Sequence, residues 1–111
     1  MNTTYTYIAD LLAQVQDIPA DSIVSRTVYH DEHMRTILFA FAAGQELSEH
    51  TSAQAAVLYF IQGEADLTLG QDTMMAQTGT WIHMPPRLPH SIVAKTPVLM
   101  LLLMFKQHEI E

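Results

Sequence analysis

From Pro19 to Lys106 the chain carries no helical repeat, and glycines and prolines cut it into short runs that are either apolar or alternate with period two. Ile23–Tyr29 alternates loosely and is rich in β-branched residues. His30-Asp31-Glu32-His33 is a polar turn, and Thr36–Ala43 is apolar up to Gly44, so these three pieces read as a hairpin. Val57–Ile61 stops at Gln62-Gly63, Ala65–Leu69 at Gly70-Gln71-Asp72, and Trp81–Met84 at Pro85-Pro86. Ser91–Ala94 and Val98–Phe105 follow. Short strands punctuated this closely, with no segment that looks like a crossover helix, predict an all-β sandwich or barrel.

The beginning of the chain reads differently. Tyr5, Ile8, Leu11, Leu12 and Val15 recur at helical spacing, Thr3 or Thr4 can cap the start, and Pro19 marks the end, which predicts a short helix over residues 4–14. The organisation expected is an N-terminal helical segment over residues 1–19 and one barrel domain over residues 20–106. A chain of 111 residues is long enough for one such domain to bury its own core.

Val57–Ile61 and Val98–Phe105 are apolar on both parities. One face of an antiparallel sheet normally meets water and carries polar residues, so both faces of these strands must be covered. Either the N-terminal helix packs there or two copies meet sheet to sheet. With 49% hydrophobic and only 15% charged residues, the composition favours a homodimer. The formal net charge is −7, and the five cations Arg26, Arg35, Arg87, Lys95 and Lys106 are scattered, so no basic stripe exists to neutralise phosphates and nucleic acid is not an expected partner. The absence of cysteine excludes disulfides and zinc–thiolate sites. Met1–Asp10 lacks the basic-then-apolar pattern of a signal peptide, and the longest apolar run, Val98–Phe105, is far short of the roughly 20 residues of a membrane-spanning helix. The expectation is a soluble cytoplasmic protein that does not engage membranes.

Six histidines are the candidates for chemistry, because neutral imidazole both ligates metals and accepts protons near pH 7. His108 lies in a polar tail. His30 and His33 flank Asp31-Glu32 in a turn, where polar residues are ordinary, so a solvated turn is preferred there over a metal site. His50 and His90 each sit at a strand edge within a longer pattern. Gly44-Gln45-Glu46-Leu47-Ser48-Glu49-His50, followed by Gly63, resembles the first cupin motif. Gly79-Thr80-Trp81-Ile82-His83-Met84-Pro85, followed by Pro89-His90, resembles the second. The order and separation of the two also match. Ser25-Arg26-Thr27, Phe39-Ala40-Phe41 and Gly63-Glu64-Ala65 further resemble the small single-domain cupins of bacteria, so that the likeness runs over residues 20–105.

The resemblance implies a double-stranded β-helix (jelly-roll) barrel with His50 and His90 facing each other across its interior. In metal-binding cupins the first motif supplies three ligands and the second one more. Position by position, His50 matches the first ligand and His90 the last, whereas Ser52 and Ala56 stand where the second and third would be. Gln54 or an inward His83, on the parity of Trp81, are the residues placed to complete a sphere for Fe, Mn, Zn or Ni. By the same analogy Ala56, Leu58 and Phe60 face inward and, with Ser52 and Trp81, are the candidate pocket lining, while Val57, Tyr59 and Ile61 face outward toward a partner subunit. Two functions follow: a barrel that binds a small molecule with an incomplete metal site, or a metal-dependent enzyme of the dioxygenase, isomerase or decarboxylase class acting on a small oxygenated substrate. No phosphate-binding glycine loop occurs, and spacing supports no Ser–His–Asp arrangement.

Overall fold

The structure is a computed structural model that describes residues 4–107. Nine strands follow one another: β1 (Ile23–His30), β2 (Met34–Phe41), β3 (Glu46–His50), β4 (Ala55–Gln62), β5 (Ala65–Leu69), β6 (Asp72–Ala76), β7 (Trp81–Met84), β8 (His90–Ala94) and β9 (Val98–Phe105). They form a five-stranded sheet in the order β1-β2-β9-β4-β7 and a four-stranded sheet in the order β3-β8-β5-β6. Every pairing is antiparallel. This is the all-β jelly-roll barrel that the sequence predicts.

Register divides the interior into layers. On the five-stranded sheet Phe39, Met100 and Phe60 form one inward row; Ile37, Leu102, Leu58 and Ile82 the next; Arg35, Met104, Ala56 and Met84 the last. On the other sheet the corresponding rows are Ala65 with Ala94 and Ala76, Leu67 with Ile92 and Leu47, and Leu69 with His90 and His50. The core is therefore large on one sheet and small on the other at its first layer: Phe41, Phe60 and Val98 are fully buried together with Ala65, Ala76 and Ala94. Gly63 closes this end. It sits at φ +101°, and a Cβ there would overlap the carbonyl oxygen of Pro97 and press on Val98 Cα, so only glycine lets the β4–β5 turn lie against the start of β9.

Two expectations need correction. The helix over residues 4–14 is a single 3₁₀ turn, Leu11–Gln14, started by Asp10, whose carboxylate accepts from the Leu12 amide at 3.1 Å, and ended by an extended Val15. So short a segment gains little from helical hydrogen bonds alone, and its apolar residues do not share a buried face: Tyr5 is 90% and Tyr7 78% exposed. The rest of the segment is an extended arm along β1 and β2. Arg26 donates to the carbonyl of Gln14, and residues from Thr4 to Leu11 share a shallow groove with Val28, Tyr29 and Thr36. The second correction concerns β3 and β6, which the sequence pattern does not reveal. Both are edges of the four-stranded sheet and are exposed along most of their length, so neither carries the burial periodicity by which a strand is recognised.

The outer face of the five-stranded sheet is covered in part. Leu38 and Ala40 point outward by register yet are wholly buried, on the side where the arm runs. Toward β4 and β7 the same face leaves Tyr59 39%, Trp81 61% and Phe105 40% exposed. Among the described residues no helix is long and apolar enough to cross a membrane.

Candidate functional site

The layer of Arg35, Ala56 and Met84 on one sheet and of His50 and His90 on the other is the open end of the barrel. His50 reaches it because β3 is irregular. Glu46 and Leu47 stand opposite Val93 and Ile92, and unbroken pairing would bring Glu49 opposite His90. A register shift between Leu47 and His50 inserts one residue and puts His50 there instead. The two imidazoles meet edge to face, with ring centroids 4.1 Å apart and planes inclined by 61°.

Both rings are oriented by backbone. His50 Nδ1 lies 2.8 Å from the carbonyl of Ser48, and His90 Nδ1 2.8 Å from that of Leu88. A carbonyl oxygen only accepts, so each Nδ1 carries the proton and each Nε2 of the neutral ring keeps its lone pair. The Leu88 carbonyl is itself held by a braced loop. Arg87 takes a left-handed conformation (φ 67°), its amide donates to the carbonyl of Ser52 at 2.7 Å, and the Gly70 amide donates to that of Pro89 at 2.8 Å. His90 is 7% exposed. Burial lowers its pKa from the ordinary histidine value; the Leu88 carbonyl opposes this, and a charge on His50 would add to the lowering. At neutral pH the His90 ring is therefore uncharged, an acceptor at Nε2.

The rings open on a cavity of about 270 Å³. Its polar wall is His50, His90, Thr51, Ser52 and Gln54; its apolar wall is Ala56, Met84, Leu102 and Met104, closed off by Pro85 and Leu88. Of the residues expected at the site, His50, His90, Ser52, Gln54 and Ala56 are brought together. Leu58 and Phe60 do point inward but lie deeper, in the packed core, and do not line the cavity. His83 and Trp81 do not join at all. Met84 pairs with Ala56 and Ile82 with Leu58 on the inward parity, so Trp81 and His83, opposite Tyr59 and Val57, take the outward one. The inward orientation of that pair is thus corrected by strand alternation. Met84, Leu102 and Met104 were not anticipated, because their inward parity follows only once β4 is known to pair with both β7 and β9.

The His30–His33 turn is a structural one. Asp31 accepts from the Tyr29 hydroxyl at 2.6 Å and from the His33 and Met34 amides at 2.7 and 2.9 Å, while His33 pairs with Glu32 at the surface. Those bonds hold the Asp31 carboxyl well below its ordinary range, at about 2.

A metal at the open end would find two imidazole Nε2 atoms and, as a third donor, only the uncharged side-chain amide oxygen of Gln54. The Ser52 hydroxyl accepts from the Gln54 amide at 3.1 Å, Ala56 offers nothing, and among the described residues no three His, Cys, Asp or Glu side chains converge. Catalytic metal sites use three His, Cys, Asp or Glu ligands and an open position; two imidazoles and a neutral amide oxygen do not fit a tightly held catalytic ion.

Comparison with known proteins agrees with the fold. Residues 37–105 match the model of the cupin domain family. No curated protein matches the chain. Among solved structures, a conserved protein of unknown function from Streptococcus pyogenes is 30% identical, with 97% of this chain and 94% of that one covered at a TM-score of 0.83. A cupin superfamily protein from Desulfitobacterium hafniense is 20% identical over 96% and 97% of the two chains, TM-score 0.83. A cupin 2 conserved barrel domain protein from Leptotrichia buccalis is 24% identical over 86% of this chain and 46% of that longer one, TM-score 0.77. With both histidine motifs in place, a jelly-roll barrel around them and a family match over most of that barrel, the chain belongs to the cupin family.

Proposed function

We propose that the protein binds a small organic molecule in the open end of its barrel, with the Nε2 atoms of His50 and His90 as hydrogen-bond acceptors and without a tightly held metal. The observation that carries this reading is the pairing of two imidazoles, each oriented through Nδ1 by a backbone carbonyl, on a cavity whose remaining ligand positions are Ser52 and Ala56. A concave, mostly apolar pocket with a few convergent polar groups is what small-ligand sites generally look like. Saturation-transfer NMR with a panel of small alcohols, amides and carboxylates should give hits that disappear in Ala56→Phe, which fills the cavity. A panel with no hits, or hits indifferent to that substitution, would refute it.

The other reading, a metal-dependent enzyme, requires a stoichiometric ion. On the metal-free reading, protein purified without a polyhistidine tag and exposed to Fe, Mn, Zn or Ni should retain less than about a tenth of an equivalent. A stoichiometric ion that is lost in both His50→Ala and His90→Ala would establish the metal site instead.

We also propose that the protein works as a homodimer through the outer face of the five-stranded sheet. Among the described residues, the bare part of that face presents Tyr59, Trp81, Leu101, Leu103 and Phe105 and no charged side chain of Asp, Glu, Lys or Arg. A two-fold interface sets each residue against the same surface on the other copy, and a face without formal charge does so without like-charge repulsion even in a chain of net charge −7. Exposed aromatics are the usual anchors of such contacts. Light scattering at micromolar concentration should give twice the chain mass; a monomer mass would overturn the proposal.

A further inference from the structure

The mouth of the barrel reverses the charge of the molecule around it. Arg35, Lys106 and His30 line a second cavity of about 620 Å³ together with Thr27. It shares Ser52, Gln54 and Met104 with the histidine cavity, so the two adjoin across these three side chains. The chain has twelve acidic residues and only five Lys or Arg; two of those five stand here, and among the described residues no acidic one lines either cavity. Arg35 occupies the inward row of Met104 and Ala56 on β2, which aims it toward the interior. Its guanidinium donates to Thr27 Oγ1 at 3.1 Å, and Lys106 Nζ donates to the Asp31 carbonyl at 2.6 Å. Among the described residues neither cation has a carboxylate partner; the ion pairs there are His33 with Glu32 and Lys95 with Asp66. A guanidinium has five N–H donors and an ammonium three, so both keep donors for a ligand.

From this placement we infer that the ligand carries a carboxylate, bound at the mouth by Arg35 and Lys106, with a short, largely apolar body that reaches between Ala56 and Met104 to the imidazoles. Arg35 supplies the planar two-pronged contact and its Thr27 bond fixes the plane; Lys106 adds a second charge from the end of β9. The remaining acidic surface repels the same anions elsewhere, so binding is directed to this one opening. The inference rests on the reading that the open end takes a small molecule.

Isothermal titration with 3-hydroxybutyrate and 4-hydroxybutyrate, whose hydroxyl can donate to an imidazole Nε2 while the carboxylate meets Arg35, against 4-hydroxybutyramide and 1,4-butanediol as neutral counterparts, tests it. The carboxylates should bind at least about tenfold more tightly than the neutral compounds, as for charge-assisted hydrogen bonds. Arg35→Met should remove about that advantage and Lys106→Met a smaller part of it, while both leave binding of the neutral compounds within about twofold. Raising the salt concentration should weaken the carboxylates alone; this measurement needs no variant and holds if Arg35→Met misfolds. Neutral and charged compounds bound equally by the wild-type protein would overturn the carboxylate inference and leave the small-molecule reading standing. No binding of either class would overturn both.

Discussion

The two ends of the barrel are built by the same strands, yet one is filled and the other hollow. At the filled end Phe41, Phe60 and Val98 of one sheet lie over Ala65, Ala76 and Ala94 of the other, all at 0–1% exposure, so large residues meet small ones and the layers interdigitate. Two rows further along the same strands, Ala56 takes the place that Phe60 holds in the packed layer, and the opposing residues are His50 and His90. The backbone does not change course to make the cavity. Side-chain volume is withdrawn at Ala56 and Ser52, and the polar groups are gathered where it is missing.

The filled end should respond most strongly to lost volume. Phe60→Ala should cost about 3–5 kcal/mol in urea denaturation, the range for a large core aromatic. A loss below about 1 kcal/mol would mean that this end is not packed as described. Added volume distinguishes the two ends within one experiment. Ala65→Leu has no room and should destabilise by about 1–3 kcal/mol, whereas Ala56→Leu enters the cavity and should cost less than about 1 kcal/mol while reducing ligand binding. Equal costs would erase the difference between the ends.

How much of this was legible in the sequence follows the same division. The filled end and the central strands are read directly, because uninterrupted apolar runs such as Val57–Ile61 and Val98–Phe105 supply an inward apolar row on either parity. The histidine pair is legible through its motifs, and Ser52 and Ala56 already mark the missing ligands. The inward or outward sense of Trp81 and His83 is not, because both parities of this four-residue strand carry a large apolar residue, so its partner's register is needed to assign them, and that register depends on β4. Arg35 and Lys106 are 71 residues apart and meet only because β2 pairs with β9; no local pattern could join them. The arm illustrates the converse: a helical spacing of apolar residues is overridden where no surface is present to bury the resulting stripe.

The ends also differ in what acid does to them. Among the described residues no titratable side chain is buried in the filled end, while His90 at the open end is buried and neutral, its pKa lowered chiefly by burial. As the pH falls below 6.5, the unfolded chain takes up a proton on this imidazole before the folded protein does. Its contribution is therefore fully present above 6.5 and declines as the pH drops toward the lower folded-state pKa. Denaturation midpoints between pH 7.5 and 5 should fall with acidity in the wild-type protein and less steeply in His90→Gln, by an amount smaller than either core substitution costs. Parallel pH profiles would show that burial of His90 does not bias its protonation.

The smallest effect is expected at the rim, in the β1–β2 turn whose Asp31 carbonyl receives Lys106. The Asp31 carboxyl is lowered from 3.8 to about 2, first by the Tyr29 hydroxyl and then by the His33 and Met34 amides. A carboxylate that ionises more readily in the folded state stabilises it above its unfolded pKa, and that contribution is lost as the pH falls from about 3.8 to about 2. Many other carboxylates titrate in this window, so the informative quantity is the difference between two proteins. Asp31→Asn keeps an oxygen to accept the two amides but gives up the charge. The stability gap between wild type and Asp31→Asn should therefore be widest near neutral pH and close as the pH approaches 2. A gap that stays constant would mean that the turn is held by its shape alone, and that the rim differs from the pocket in carrying no protonation-dependent stability.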